Sequence, residues 1–531
     1  MKYIKYLAVS ALCAMSLTSC NDYLDRLPDD RAEVKTVSQV KELLTSAYPQ
    51  GNNNTIMELM SDNVSDNGTS YASTPLKDEL YRFEDVDDTG NDSPYFVWNQ
   101  LYKSVATANQ ALEYLGQVTP TEESAAVEAE AKMIRAYSMF QLATTFCMAW
   151  DESKADEYMG LPYPTEPAKF IGGQYDRGTL RQLYANIDKD IEEALPKIDE
   201  SIYTVPKYHF NRKAAYAFAA RFNLYYNNMD KCIAYANEVL GSDPRSYLRD
   251  LEQYTQFGAQ DIGNKYIQSG EKANFMLLAS YSAEGYMVIY PVYPRFQHNQ
   301  SVCSYGTFWA KAPWGQGSGS EAQKALLYYA NMMYGSNTAV QFPKMLPQME
   351  ITDKINKTGY LHIVDPIFTG DETLLCRAEA YASKKMYTEA VADINLWIEN
   401  HCRAQSGDEV RPVMTEELIN EFMEQLDYTP VTLEYWSDLT IRKELHPQGF
   451  EVEAGTQENI INLILHMRRL ETMYQGLRFV DLKRYGIAFS HVVKGDGIKE
   501  FNTEEVNYAD PRGAIQLPAD VIKAGLPANP R

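Results

Sequence analysis

The sequence predicts a mainly α-helical body of paired helices, interrupted by long loop-rich insertions. Three observations carry this. Apolar residues recur at helical spacing between recognisable start and stop signals. Two segments read as helix–turn–helix pairs with small residues at the close approaches. Two stretches, about 245–365 and 402–455, break the helical pattern with Gly, Pro, Asn, Tyr and short apolar runs.

The first helical scaffold segment spans about 95–147. In PYFVWNQLYKSVATANQALEYLG, Trp98, Leu101, Val105, Ala108, Leu112 and Leu115 share one face, and Gly116 closes the run. EAEAKMIRAYSMFQLATTF, residues 128–146, brings Met133, Tyr137 and Phe140 to one side. The second segment spans 179–244. TLRQLYANIDKDIEEALP opens on a capping box of Thr179 and Gln182 and stops at Pro196. NRKAAYAFAARFNLYYNNMDKCIAYANEVLGSDP then places Ala220, Cys232, Ala236 and Pro244 at tetratricopeptide spacing. The third, 371–401, repeats the template with Ala378, Tyr381, Ala390 and Ile394. A fourth, 456–485, ends one helix at Gly476 and carries Arg478, Asp481 and Arg484, read as a buried, paired, structural charged strip. In the insertions FMLLAS and YMVIYPVY could form short strands, although they do not alternate cleanly.

Composition narrows the partners. The 531 residues carry a formal charge of −23 with pI near 4.8, which opposes nucleic acid or anionic lipid held by general electrostatics. Tyrosine, with 39 copies against 19 Phe and 6 Trp, suits hydrogen-bonding recognition surfaces as well as helix packing. The N-terminal MKYIKYLAVSALCAMSLTSC has Lys2 and Lys5 before an apolar run too short to span a bilayer, the pattern of a signal peptide over residues 1–19. Its ending LTSC resembles a bacterial lipobox, which implies diacylglycerol on Cys20. The remaining Cys147, Cys232, Cys303, Cys376 and Cys402 match neither a disulfide ladder nor a zinc site and are read as structural.

Several motifs then follow in order. They are CNDYLD, WNQLYKSVATANQAL, EAKMIRAYSMFQL, YDRGTLRQLYANIDKDIEEAL, NRKAAYAFAARFNLYY, DETLLCRAEAYA, RRLETMYQGLRFVDLKRYG and AIQLPADVIKAGLPANP. This series resembles the SusD/RagB family of outer-membrane nutrient-binding lipoproteins across nearly the whole chain. The resemblance implies about four tetratricopeptide pairs, eight helices, supporting a loop-rich ligand face within one body over 20–531. It also implies a glycan ligand, a SusC-like TonB-dependent transporter as partner, and a lipid-anchored, surface-exposed position on the outer membrane. One motif departs from the family pattern: Leu470, Thr472 and Gln475 stand where Arg, Leu and Glu are usual.

No catalytic constellation, cofactor motif or metal site is predicted. The seven histidines lack ligand spacing, and GQGSG at 315–319 misses the nucleophile-elbow order. DVDDTGND at 85–92 begins like a calcium loop, but Phe96 occupies the position that needs Glu, so it reads as a solvated acidic turn. The protein is therefore read as a non-enzymatic glycan binder. The alternative is a tetratricopeptide scaffold binding protein or peptide cargo.

The candidate binding residues come mainly from PVYPRFQHNQSVCSYGTFWAKAPWGQGSG, residues 291–319. They are Tyr293, Tyr305, Trp309 and Trp314, with Arg295 and Asn299 as polar partners, and Tyr71 and Tyr81 from an earlier polar stretch. Trp98 and Trp397, at helical spacing, read as core. Each loop aromatic either pins an irregular segment or stacks on a sugar ring; of the first four, at least two are expected to touch ligand. On that reading, alanine at Trp309 or Trp314 weakens glycan binding and leaves the thermal midpoint nearly unchanged.

Overall fold

The structure, a computed structural model, describes residues 36–167, 175–287, 294–317, 325–503 and 508–531. Three short helices come first: α1 (Val37–Thr45), α2 (Asn54–Leu59) and α3 (Pro75–Tyr81). The scaffold follows as α4 (Pro94–Leu115), α5 (Glu122–Phe146), α6 (Leu180–Ala194), α7 (Arg212–Tyr225) and α8 (Met229–Leu240). The first insertion holds α9 (Ala259–Tyr266) and α10 (Gln300–Gly306). The scaffold resumes with α11 (Gly370–Ser383) and α12 (Tyr387–His401). Beyond α13 (Glu416–Glu424) of the second insertion lie α14 (Thr456–Glu471) and α15 (Leu477–Arg484).

Local chemistry sets the helix ends. Thr179 Oγ1 accepts from the Gln182 amide at 3.3 Å while Gln182 Oε1 accepts from the Thr179 amide at 3.1 Å, both arms of a capping box. Ser93 caps α4 with Pro94 in its first turn, where the missing N–H costs nothing. Gly476 separates α14 from α15 at φ +70°, and a Cβ there would lie 2.9 Å from Met57 Cβ. Only glycine meets both demands.

The helices pack as neighbours: α4 on α5, α5 on α6, α7 on α8, α8 on α11, and α11 on both α12 and α14. Small side chains permit this. Ala214, Ala215, Ala219 and Ala220 of α7 and Ala378, Ala380 and Ala382 of α11 are fully buried. The mainly α, tetratricopeptide-like architecture predicted from spacing is the one observed. All five described cysteines are free and buried, and Cys376 also bonds Glu372 and Arg468 through its sulfur.

The structure holds more strand than the composition suggests, much of it within the insertions. The strands are β1 (Ser65–Asp66), β2 (Asn274–Tyr281), β3 (Phe296–Gln297), β4 (Tyr334–Ser336), β5 (Ala339–Gln341), β6 (Gln348–Asp353) and β7 (Thr358–Thr369). They continue with β8 (Gln405–Ser406), β9 (Glu409–Val410), β10 (Phe489–Val493) and β11 (Gly497–Phe501). FMLLAS lies within β2, whereas part of YMVIYPVY falls outside the described residues. The one three-stranded sheet among the described residues has the order β2-β7-β6. β7 runs directly into α11, whose first turn is capped by Thr369. Pro366 lies inside β7 and has no N–H for the ladder. The pairing accordingly slips there, from Met276 opposite Phe368 to Leu278 opposite Asp365.

The charged strip of α14 and α15 divides. Arg484 and Asp481 join Arg468 and Glu379 in the core, while Arg478 pairs with Asp62, below the surface cleft described next. Gln475, where the family pattern has Glu, donates to Asp365 Oδ1 at 2.8 Å and accepts from Lys344 at 2.6 Å. An uncharged amide can do both at once.

Candidate functional site

Residues 294–317 wrap against the scaffold. Tyr293 lies outside the described residues. Arg295 grips Asp66 with two bonds, at 2.9 and 2.7 Å, and reaches Asp78 at 2.9 Å. Its guanidinium is thereby spent on tying β1 and α3 to the loop. Asn299 caps α10 by accepting from the Val302 amide at 3.2 Å and donates to Asn67 Oδ1. Trp309 is half-buried, its indole N–H fixed on the Ala330 carbonyl at 2.9 Å.

Two of the expected ligand aromatics are core residues, which corrects their assignment to an outward face. Trp314 is 3% exposed, stacked on His466 with centroids 5.8 Å apart and packed on Trp397 at 5.4 Å. Tyr81 is 1% exposed, between Phe296 at 4.3 Å and His491 at 4.0 Å. Their ring faces are taken by other rings, so they pin the segment. Tyr71 is half-buried, and Tyr305, on α10, is exposed.

α10 packs against a short turn, Trp436–Asp438, of the second insertion. Gly306 makes this approach possible, since a Cβ there would meet Leu439 Cδ2 at 2.8 Å. Beside the contact opens a cleft of about 310 Å³, lined by residues 62–66, Tyr81, Val302, the 429–443 segment and residues 489–494. At its lip stand Tyr435, 62% exposed, and Trp436, 39% exposed. Exposed aromatics among the described residues thus stand on the second insertion as well as at Tyr305. Sequence reasoning passed over this pair, which sits in irregular DYTPVTLEYWSD with no periodicity to assign its faces.

The cleft floor is charged. Asp62 receives Arg478 in a two-bond clasp at 2.7 and 2.9 Å and lies 3.3 Å from Arg469. Burial works to raise its carboxyl, but the two guanidinia prevail and hold it well below the usual carboxylate range. Lys443 lines the cleft, buried, with its amine on Thr429 Oγ1 at 2.9 Å. Burial drives it well below an ordinary lysine; the Asp62 charge opposes this, and Arg469 and Arg478 add to it. His491 stands with Nδ1 2.8 Å from the Tyr81 carbonyl and Nε2 2.9 Å from that of Ser61, so it fastens α3 to the wall.

Elsewhere Asp371, His401 and Glu471 converge in the core, with His401 Nε2 3.0 Å from Glu471 Oε2. Burial pushes Asp371 up, with the Glu471 charge adding to it. Glu471 is drawn down because its bond to His401, together with the His401, Lys344 and Arg249 charges, outweighs burial. With two protein cations already neutralising it, the cluster reads as a structural ion network.

Residues 22–224 match a family described as starch-binding and associating with the outer membrane, and residues 237–517 match the SusD family. Among solved structures, a putative sugar binding protein from Bacteroides vulgatus superposes with TM-score 0.64 at 15% identity, covering 94% of this chain and 99% of that one. A SusD superfamily protein from Bacteroides thetaiotaomicron gives 0.62 at 18% identity, with coverage of 93% and 100%. A second from Bacteroides vulgatus gives 0.60 at 16%, with 94% and 99%. At these identities the superpositions speak for the fold. No match was found among curated proteins. The second family match alone takes in more than half of the sequence, and with the helix-pair scaffold it places the chain in the SusD family.

Proposed function

We propose that the protein is a cell-surface glycan-binding lipoprotein. It captures oligo- or polysaccharide at the cleft beneath Tyr435 and Trp436 and passes it to a SusC-like TonB-dependent transporter. The observation that carries this reading is the pair of exposed aromatics at the lip of a 310 Å³ cleft whose mainly apolar walls also carry Asp62, Asp66 and Lys443. Aromatic faces stack on the C–H faces of sugar rings, and the surrounding side chains hydrogen-bond the hydroxyls. By analogy with aromatic pairs each stack contributes on the order of 0.5–1.5 kcal/mol. Micromolar affinity, about −8 kcal/mol, therefore needs several contacts at once. Tyr305 and the half-buried Trp309 are the candidates from residues 291–319 that remain open to such contact. The protein holds its sugar without cleaving it, in keeping with a family described by what it binds.

The test is a binding screen of the purified protein against a broad glycan panel, repeated with Tyr435→Ala and Trp436→Ala. Each variant is expected to weaken binding about 2- to 10-fold at an unchanged thermal midpoint, because both side chains are already solvated. Full affinity in both would remove the cleft from consideration. Tethering is tested separately: Cys20→Ala should shift the protein from membrane to soluble fraction, and continued membrane retention would contradict the lipid anchor.

A further inference from the structure

Three basic side chains, Lys443 on the cleft lining with Arg469 and Arg478 beneath it, gather at one place in a chain whose formal charge is −23. Lys443 is 6% exposed and lines the cleft. Its amine donates to Thr429 Oγ1 at 2.9 Å, and among the described residues no carboxylate lies within ion-pair distance of it. An ammonium has three donors, and a neutral hydroxyl occupies one. The Asp62 charge acts on it from beyond ion-pair distance, and a buried lysine with no direct ion pair is unusual, because taking a charge out of water is costly.

The layer beneath does not supply the missing charge. Arg469 and Arg478 both lean on the single carboxylate of Asp62, at 3.3 and 2.7 Å. Glu58 lies near Arg469, but burial pushes its carboxyl up to about 7, so it is only partly ionised at neutral pH. His466, beside these groups, is driven by burial toward the neutral form, with Arg469, Arg478 and Lys443 adding to the effect. Two guanidinia thus share the Asp62 carboxylate, and none of its bonds is left for the Lys443 amine, which burial holds toward its neutral form.

The acids on the cleft wall leave this balance in place. Asp66 is clasped by Arg295 and also accepts from the Lys494 amide at 2.9 Å. Glu434 is exposed at the rim, where water screens it, and Lys494 stands exposed on the same lining. Low-dielectric walls focus the field of such a floor on whatever enters.

We infer that the ligand of this cleft is an anionic glycan, a sugar bearing a carboxylate or sulfate group that seats against Lys443. The inference rests on the cleft reading above and adds the chemical class of its ligand. The aromatic lip stacks the rings, and the buried amine takes the anion through charge-assisted hydrogen bonds. An arriving anion also restores the proton that burial drives off Lys443, so binding takes up a proton from buffer.

The experiment titrates the full-length protein in detergent with three sets of probes. The carboxylated set is polygalacturonate, alginate and hyaluronan; the sulfated set is carrageenan and chondroitin sulfate; the neutral set is galactan, xylan and amylopectin. One of the two anionic sets is expected to bind, and which one distinguishes carboxylate from sulfate. Lys443→Met should weaken that binding about 10- to 100-fold, the range of one charge-assisted hydrogen bond. Lys443→Arg should retain most of it, and the binding heat should vary with the ionisation enthalpy of the buffer. Should Lys443→Met fold poorly, Lys494→Gln at the exposed rim replaces it, with a several-fold loss expected. Binding confined to neutral glycans and weakened by Trp436→Ala would overturn the anionic ligand and leave the cleft reading standing. Anionic binding indifferent to both Trp436→Ala and Lys443→Met would overturn both. Absence of binding to every anionic probe would overturn the inference.

Discussion

Replacing Arg468 by methionine is expected to destabilise the protein by about 3–5 kcal/mol, the range for removing one partner from a buried ion pair. Arg468 is fully buried on α14. Its Nε lies 3.1 Å from Asp481 and 3.3 Å from Glu379, and its terminal nitrogens donate to Cys376 Sγ and Tyr225 Oη. Arg484 binds the same two carboxylates, at 3.0 Å to Asp481 and 2.8 Å to Glu379. Glu372 adjoins them, 3.7 Å from Arg468 and held by Arg221 at 3.0 Å, so guanidinia and carboxylates balance in number. Methionine fills much of the volume but leaves two carboxylates sharing one guanidinium in a low-dielectric interior. Urea denaturation of the variant measures the loss directly. The double variant Arg468→Met with Glu379→Gln should recover part of the stability, because it restores charge balance. A loss below about 1 kcal/mol in the single variant would mean that solvent reaches the cluster.

This quartet also explains what the sequence could and could not say about α14 and α15. The spacing of Arg478, Asp481 and Arg484 identifies a paired strip, and two of the three do pair in the core. Arg478 points instead at Asp62, hundreds of positions earlier in the chain. Periodicity reports which face of a helix is buried, not which distant element covers it. The same limit governs the strands. FMLLAS is visible as a short apolar run, but β7 is hidden because Pro366 interrupts it and its end merges with the cap of α11. Helix ends fared best, since Thr179 with Gln182 and Gly476 act through neighbours only a few residues away.

At the candidate site the division is sharper. Tyr305 and Trp314 look equivalent in a Gly-, Pro- and Ser-marked loop, and their fates depend on contacts made elsewhere. α10 leaves Tyr305 at the surface, whereas His466 and Trp397 close over Trp314. Tyr435 and Trp436 owe their exposure to a 3-10 turn held by Asp438, whose carboxylate accepts from the Tyr435 amide at 2.8 Å. That local feature was readable, but only with the turn geometry in hand.

Trp314→Ala is therefore expected to act on stability, with a cost of about 3–5 kcal/mol from the lost burial and the cavity left behind. The indole lies nearly parallel to His466, at 14°, and inclined at 47° to Trp397, so it is the middle member of a buried aromatic stack. Removing it opens space beside His466, whose Nε2 has no hydrogen-bond partner among the described residues. Water entering there would solvate that nitrogen and soften the cost toward the lower end of the range. The contrast with Trp436→Ala separates pinning from binding within one experiment. Trp314→Ala should lower the thermal midpoint and reduce glycan binding only as the folded fraction falls. Trp436→Ala should reduce binding with the midpoint unmoved. A Trp314→Ala protein of undiminished midpoint and lost binding would return that indole to the ligand face.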